Sequence, residues 1–268
     1  MLKIGIIGCG TIGSKLARAI VENFPGDSRL IGVHDIDRNK SQALSQSINP
    51  HPSILSQEDL IDSADLIIES ASKEACAKIA RAAISKGKDI MVMSVGGLID
   101  SIELFEEAKT KSCRIYIPSG AICGLDGIKG AIIGGIKRVV LTTRKPPLSL
   151  DGAPYIVKNR IDLNSIKCET LLFEGSAREA IDGFPQNINV SVALSLAGLG
   201  VDKTRVRIIT SPDYKFNTHE IEAEGEFGKL TTKTENIPSP DNPKTSYLAI
   251  LSAIAMLRGI LSPVKIGT

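Results

Sequence analysis

Aromatic residues are scarce in this 268-residue chain, which has no tryptophan and only 4% Phe, Trp and Tyr together. So few rings argue against an aromatic stacking platform for single-stranded nucleic acid. The chain also lacks an excess of one charge sign, because 32 Lys and Arg residues nearly balance 30 Asp and Glu residues. A formal net charge of +2 argues against a strongly cationic surface, so we expect no nucleic-acid partner.

Long apolar runs are missing too. No run approaches the roughly 20 residues that an α-helix needs to span a bilayer. The first residues read as a core strand without the charged-then-apolar pattern of a secretory leader. We therefore expect a cytoplasmic protein that has no membrane partner.

Cysteine and histidine occur in no metal-binding or disulfide pattern. The five cysteines are odd in number, irregularly spaced and without a CxxC pair, so structural disulfides and a zinc site are not expected. The three histidines, His34, His51 and His219, lie far apart along the chain. We accordingly predict no metal site.

A glycine-rich turn is the most informative feature that is present. An apolar run over residues 4–7 ends at Gly8-Cys9-Gly10-Thr11-Ile12-Gly13, and a helical pattern follows at once. Gly8 allows the tight turn, Gly10 lets the backbone approach a pyrophosphate, and Gly13 lets the helix pack on the strand. The helix N-terminus offers N–H groups to the phosphates. The pattern predicts that a dinucleotide contacts Gly8, Gly10, Thr11, Ile12 and Gly13.

An acidic residue follows the second predicted strand at the expected distance. Residues 30–34 read as a strand, and Asp35 stands 22 residues after Gly13. A carboxylate there can accept hydrogen bonds from the adenosine ribose hydroxyls and repel a 2′-phosphate. We therefore predict NAD as the cofactor. Arg38 and Lys40 lie close behind and leave NADP open.

The order of predicted elements indicates two domains. Residues 1–120 alternate between strands and helices, which predicts a Rossmann-type, doubly wound parallel sheet in an α/β fold. Residues 121–243 contain alternating strands and an apolar helix, which predicts a second, α+β catalytic domain. Residues 238–243 read as a turn-rich connector. The apolar helix within residues 244–268 is expected to pack back on the first domain.

Four segments carry a resemblance to one family. They are the glycine-rich turn, Ser119-Gly120-Ala121-Ile122-Cys123-Gly124-Leu125-Asp126, Thr143-Arg144-Lys145-Pro146-Pro147 and Phe184-Pro185-Gln186-Asn187-Ile188-Asn189-Val190. With Asn217-Thr218-His219-Glu220-Ile221 following them, the chain resembles the L-aspartate dehydrogenases that feed NAD biosynthesis. The resemblance covers essentially the whole length, and the third and fourth segments are its most specific parts.

The resemblance implies an activity and three site residues. Members of the family use NAD(P) to oxidise aspartate to iminoaspartate, which hydrolyses to oxaloacetate and ammonia or passes to quinolinate synthesis. It implies that His219 is catalytic and that the backbone N–H near Cys123 and the side chain of Asn189 contact the cofactor. Cys123 stands where the family pattern has Ala or Gly, a change that a backbone contact tolerates.

The chemistry of this reaction is consistent with the residues present. Imine hydrolysis needs a general base, and histidine is suited to that role near neutral pH. Two substrate carboxylates call for cations, and Arg144 and Lys145 are candidates because they end a predicted strand. An apolar second domain with a mixed sheet often buries one face against a partner, so we expect a homodimer.

Two alternatives remain open at this point. One is a related two-domain reductase of the dihydrodipicolinate or homoserine type. The former would carry a His-His-rich stretch and a lysine-containing partner motif, and neither is found in the sequence. The other is a non-catalytic NAD-sensing protein that uses the same fold and turns over no amino acid.

Overall fold

The computed structural model describes residues 1–185 and 188–267 and divides into two compact units. The first unit comprises Met1–Pro118 and Ile250–Ile266, and the second comprises Ser119–Ala249 together with Gly267.

The first unit is a six-stranded parallel sheet with helices between its strands. The strands are β1 (Leu2–Ile7), β2 (Ser28–His34), β3 (Ser53–Ile54), β4 (Leu66–Glu69), β5 (Asp89–Val92) and β6 (Ile115–Tyr116). The helices are α1 (Thr11–Asn23), α2 (Arg38–Gln46), α3 (Gln57–Ser63), α4 (Lys73–Ser85) and α5 (Glu103–Thr110). The strand order β3-β2-β1-β4-β5-β6 is that of a doubly wound dinucleotide-binding sheet. The predicted Rossmann-type architecture is therefore confirmed.

The core of this unit is built from short apolar strands. Residues of β1 and β4 such as Ile6 and Ile68 are fully buried, as expected for parallel strands covered on both faces. α1 contributes Leu16 and Ile20 to the same core. Burying such side chains contributes roughly 1.5–3 kcal/mol each, which is the main stabilisation available to this layer.

The second unit combines helices with a mixed five-stranded sheet. Its helices are α6 (Leu125–Ile133), α7 (Pro154–Lys158), α8 (Ala177–Gly183) and α9 (Ile188–Ala197). Its sheet contains β7 (Ile136–Lys145), β8 (Thr170–Ser176), β9 (Arg205–Thr210), β10 (Asn217–Gly225) and β11 (Gly228–Asn236), in the order β11-β10-β7-β9-β8. β7 pairs with β9 in parallel and with β10 antiparallel. The predicted α+β second domain is confirmed.

Of two predictions near the C-terminus, the turn-rich connector differs from the structure and the last helix agrees with it. The segment read as a turn-rich connector forms a small hairpin of β12 (Pro238–Ser239) and β13 (Asn242–Ser246). The expected last helix is present as α10 (Tyr247–Leu261). Its buried Ala253 and Leu257 belong to the hydrophobic core of the first unit.

Candidate active site

The glycine-rich turn links β1 to α1 in a conformation that only glycine fits at two positions. Gly8 has φ +103°, and a Cβ placed on it would lie 2.4 Å from the backbone of Ser70. A Cβ on Gly13 would lie 2.0 Å from the carbonyl oxygen of Gly8. By contrast, a Cβ on Gly10 would meet nothing within 4 Å. The turn is thus closed towards the sheet at Gly8 and Gly13 and open at Gly10.

The open side of the turn coincides with the N-terminus of α1. Gly10 is the N-cap residue and no side chain caps the helix there. Thr11 and Ile12 open the first helical turn, and the side chain of Ile12 packs against the core. The first N–H groups of a helix lack partners within the helix and carry partial positive charge. These residues therefore fit the pyrophosphate of a dinucleotide, and Gly10 leaves the space that a phosphate requires.

Asp35 joins the glycine-rich turn to the loop that follows β2. One carboxylate oxygen accepts the N–H of Cys9 at 2.7 Å, and the other accepts the N–H of Asp37 at 2.9 Å. Each carboxylate oxygen has a second lone pair, so Asp35 can still accept a hydrogen bond from a ribose hydroxyl. Arg38 and Lys40 are exposed nearby at the start of α2.

A buried histidine lies on one face of the sheet in the second unit. His219 of β10 is directly opposite Thr143 of β7, and its Nδ1 lies 3.0 Å from the Thr143 hydroxyl. Its side chain is only 6% exposed. Burial, together with the charge of Lys145, lowers the pKa of His219 to about 3. The imidazole is therefore neutral near pH 7. Within residues 1–185 and 188–267, Nε2 has no hydrogen-bond partner.

The same sheet face carries a buried cation. Lys145 lies two residues after Thr143 on β7, so both side chains point to one side of the sheet. Lys145 is 6% exposed, and desolvation lowers its pKa to about 8. Its ammonium group has no ion-pair or hydrogen-bond partner in the part of the chain that the structure describes. An unpaired buried cation is costly, and an anion bound beside it would offset that cost.

Lys145 lines a small cavity of about 50 Å³. Two segments that carry the family resemblance meet at this cavity. Lys145 comes from residues 143–147, and Phe184 and Pro185 come from residues 184–190. The other lining residues are Ser149, Leu150, Asp151, Gly152, Ala153 and Pro154. Gln186 and Asn187, within residues 184–190, lie outside the described residues.

Arg144 lies on the opposite face of the sheet from His219 and Lys145. Its guanidinium group forms an ion pair with Glu220 at 2.6 Å, and both side chains are about one quarter exposed. Adjacent strand residues point to opposite faces, so the predicted pair of cations is separated. The structure brings Lys145 together with His219 and does not bring Arg144 to them.

The loop before α6 is tied to β11 by side-chain hydrogen bonds. Thr232 donates to the carbonyl oxygen of Cys123 at 3.1 Å, and Thr234 donates to that of Ala121 at 2.8 Å. Asn236 also donates to Ala121, at 3.1 Å. Cys123 itself is exposed, and these hydrogen bonds anchor the loop that carries its backbone N–H.

Asn189, the residue that the resemblance implies as a cofactor contact, is the second residue of α9, and its side chain is exposed.

The sequence alone gives Thr143 no role, although the residue stands in the segment Thr143-Arg144-Lys145-Pro146-Pro147 that carries the resemblance. The signal that would have found it is the two-residue spacing between Thr143 and Lys145. Its contact with His219 depends on the pairing of β7 with β10, which joins residues 76 positions apart.

Metal binding and nucleophilic chemistry at the Cys9 thiol find no support in the described residues. No group of three His, Cys, Asp or Glu side chains within residues 1–185 and 188–267 has the geometry to hold a metal ion. Burial, with the nearby charge of Asp35, raises the pKa of the Cys9 thiol to about 12, so it is not a nucleophile near neutral pH. In these same residues, we find no helix with the length and apolar character that crossing a membrane requires.

Comparison with known proteins yields two family matches. The family described as "Aspartate dehydrogenase, C-terminal" matches residues 126–260, and the family described as "Homoserine dehydrogenase, NAD binding domain" matches residues 8–118. An L-aspartate dehydrogenase of Methanosarcina mazei is 51% identical over 100% of both chains. One of Nitrosopumilus maritimus is 42% identical, again over 100% of both chains.

One solved structure shows the same relationship, and a second shares only the fold. The aspartate dehydrogenase of Thermotoga maritima is 27% identical with a TM-score of 0.78, and the match covers 100% of each chain. A homoserine dehydrogenase from Thiobacillus denitrificans shares the fold alone, at 11% identity and a TM-score of 0.63, over 97% of this chain and 73% of that one. The predicted resemblance is confirmed: the chain belongs to the L-aspartate dehydrogenase family.

Proposed function

We propose that this protein oxidises L-aspartate to iminoaspartate with NAD(P) as the electron acceptor. The imine then hydrolyses to oxaloacetate and ammonia. One observation carries the proposal: the unpaired, buried ammonium group of Lys145 shares a sheet face with the neutral imidazole of His219. A cation can bind one of the two carboxylates of aspartate, and a neutral base next to it can accept the protons that the oxidation releases.

Lys145 binds a substrate carboxylate in this proposal. Its ammonium group is partly desolvated before substrate arrives, so an ion pair with a carboxylate replaces a charge that is only partly hydrated. We assign this contact to Lys145 and not to Arg144, because Arg144 faces the other side of the sheet and is already paired with Glu220. The family membership supports aspartate as the source of the carboxylate.

His219 acts as the proton acceptor. The hydride from C2 of the substrate would pass to a nicotinamide bound at the cofactor site. Loss of hydride requires a neutral amine, and hydrolysis of the imine requires an activated water, so a base must act twice. Nδ1 of His219 is engaged by Thr143, which leaves Nε2 to receive the proton. A substrate carboxylate on Lys145 would offset the positive charge that helps to keep the pKa of His219 low.

The proposed cofactor contacts come from the glycine-rich turn and Asp35, and from two residues that the family resemblance implies. Gly8, Gly10, Thr11, Ile12 and Gly13 would hold the pyrophosphate, as the open helix N-terminus suggests. Asp35 would accept the ribose hydroxyls and favour NAD over NADP by charge repulsion, although Arg38 and Lys40 leave dual use open. The N–H of Cys123 and the side chain of Asn189 are further proposed contacts. We place the cofactor domain at residues 1–120 and the catalytic domain at 121–243.

We also propose that the enzyme works in the cytoplasm as a homodimer and that its imine supplies NAD biosynthesis. The family resemblance supports the metabolic role, and the mixed sheet of the second unit supports self-association. Sedimentation equilibrium of the purified chain tests the dimer, which would show twice the chain mass of 28.5 kDa. A single species at the chain mass would contradict it.

Nicotinamide reduction, followed by absorbance, tests the reaction. L-aspartate, D-aspartate, glutamate and homoserine are each supplied with NAD and with NADP. Turnover with L-aspartate and not with the others is expected, and the two cofactors are ranked by their kcat/KM values. Tight NAD binding without turnover of any amino acid would instead favour the NAD-sensing alternative. Turnover of homoserine alone would favour the related reductase.

A further inference from the structure

Glu69 joins two loops at the carboxyl edge of the parallel sheet. It is the last residue of β4, and its side chain is completely buried. One carboxylate oxygen accepts the N–H of Ala71 at 2.8 Å, and the other accepts the N–H of Ser94 at 3.0 Å. Ala71 follows β4 and Ser94 follows the adjacent strand β5. A single carboxylate thereby fixes the backbone after two neighbouring strands.

This carboxylate is kept at an energetic cost. Burial raises its pKa, an effect that the hydrogen bonds from Ser94 and Ala71 partly oppose. No Lys, Arg or His side chain forms an ion pair with Glu69 among residues 1–185 and 188–267. A buried acid without a cation is unfavourable relative to an apolar side chain of similar size. Packing alone therefore does not account for a glutamate here.

The loop that Glu69 fixes lies against the glycine-rich turn. Ser70, between Glu69 and Ala71, donates its hydroxyl to the carbonyl oxygen of Gly8 at 2.8 Å. Its N–H donates to the carbonyl oxygen of Ile7, also at 2.8 Å. The Ser70 backbone is the group that excludes a Cβ from Gly8. Any shift of Ser70 is therefore transmitted to Gly8.

We propose that Glu69 is a positioning residue for the dinucleotide. Its carboxylate holds Ser70 and the loop after β5 in place, and Ser70 in turn holds the glycine-rich turn in the shape that receives the pyrophosphate. This inference rests on the proposed function, because it takes the glycine-rich turn as the cofactor site. Glu69 contacts neither substrate nor reacting atoms in this proposal, and it acts through Ser70 and Ser94.

Glu69→Gln is the direct test, because an amide can accept only one of the two backbone N–H groups and directs its NH₂ at the other. Titration calorimetry of the full-length protein with NAD, and separately with NADP, gives the dissociation constant. We expect the dissociation constant for the better-bound dinucleotide to rise about tenfold or more, the equivalent of one lost hydrogen bond. KM for that cofactor should rise in parallel, while kcat at saturating cofactor stays within about threefold of wild type.

Asp89→Asn is the matched control. Asp89 is the first residue of β5, so it lies where the strands begin and not where they end. Its carboxylate also accepts a loop N–H, that of Arg114 at 2.8 Å. The control should lower Tm without changing dinucleotide affinity. A dissociation constant for Glu69→Gln within twofold of wild type would overturn the proposal, as would an equal loss of affinity in Asp89→Asn.

Ser70→Ala keeps the proposal testable even if Glu69→Gln does not fold, since it retains the carboxylate and removes only the link to Gly8. We expect a several-fold weaker binding of the dinucleotide, and unchanged affinity would contradict the inference. Failure of the wild-type protein to bind either dinucleotide would instead reject the proposed function itself.

Discussion

Nδ1 of His219 lies 3.0 Å from the hydroxyl oxygen of Thr143, across the antiparallel pair that β10 forms with β7. Both side chains are buried, so this contact fixes the orientation of the ring without competition from water. One ring nitrogen is thereby committed to the protein, and the other is left for the substrate. The hydroxyl of Thr143 consequently helps to select which nitrogen carries the proton.

Removal of the Thr143 hydroxyl should impair catalysis more than substrate binding. In Thr143→Val the imidazole loses its only described side-chain partner, so we expect kcat to fall about tenfold or more while KM for L-aspartate changes little. Steady-state kinetics measure both constants. Thr143→Ser, which restores the hydroxyl, should recover most of kcat.

Thr142→Val is the control for Thr143→Val. Thr142 is the preceding residue of β7, is also buried, and points to the other face of the sheet. Its replacement should leave the kinetic constants near those of wild type. Equal losses of kcat in the two variants would show that the effect comes from packing in β7 and not from the contact with His219.

Replacement of Lys145 should stabilise the fold while it weakens substrate binding. Desolvation lowers the pKa of Lys145 from 10.5 to about 8, a cost to the folded state on the order of 3 kcal/mol at neutral pH. Lys145→Met removes this charge, so we expect a higher Tm together with a strongly raised KM for L-aspartate. Thermal unfolding monitored by circular dichroism measures Tm.

The stability gain of Lys145→Met should depend on pH in one direction. Below pH 8 Lys145 is protonated in both the folded and the unfolded wild-type protein, so the cost is fully present. Between pH 8 and 10.5 the unfolded chain holds the proton more tightly, and wild-type stability rises towards that of the variant. A difference in Tm that grows with pH in this range would contradict the assignment of the low pKa to Lys145.

Inhibition by succinate isolates the charge of Lys145 from the substrate amine. Succinate carries two carboxylates and no group that titrates above neutral pH. Its inhibition constant should be flat between neutral pH and pH 8 and rise above pH 8, approaching tenfold per pH unit as the ammonium group loses its proton. In Lys145→Arg the guanidinium group does not titrate, so any inhibition that survives should be independent of pH. A parallel rise in both proteins would assign the titration to another group.

Asp35 should set the preference between NAD and NADP. Asp35→Asn removes the negative charge that repels a 2′-phosphate, so we expect the ratio of kcat/KM for NADP to that for NAD to increase about tenfold. Asp37→Asn is the control, because Asp37 is also acidic but caps α2 by accepting the N–H of Asn39. An unchanged cofactor ratio in Asp35→Asn would show that the ribose is bound elsewhere.

Local patterns account for the parts of the fold that the sequence predicts well. The glycine-rich turn, β2 and Asp35 follow from residues that are close in the chain, and the structure places them as neighbours. β8 shows no such pattern, because its register shifts between Leu171 and Phe173 and interrupts the alternation. The hairpin of β12 and β13 lies in a segment whose prolines are typical of turns.

The candidate site was only partly predictable. His219, Lys145 and Arg144 were named from the sequence, and alternation along β7 is sufficient to separate Arg144 from Lys145. The pairing of His219 with Thr143, however, depends on which strands become neighbours, and no local pattern specifies that. The link from Glu69 to Ser94 depends in the same way on the pairing of β4 with β5.

The most direct test of the catalytic assignment compares wild type with His219→Ala in L-aspartate oxidation, with the NAD dissociation constant measured in parallel. Because His219 is proposed to accept the proton and not to hold the cofactor, kcat should fall by about two orders of magnitude or more while the dissociation constant stays within twofold. Wild-type kcat in His219→Ala would contradict the account.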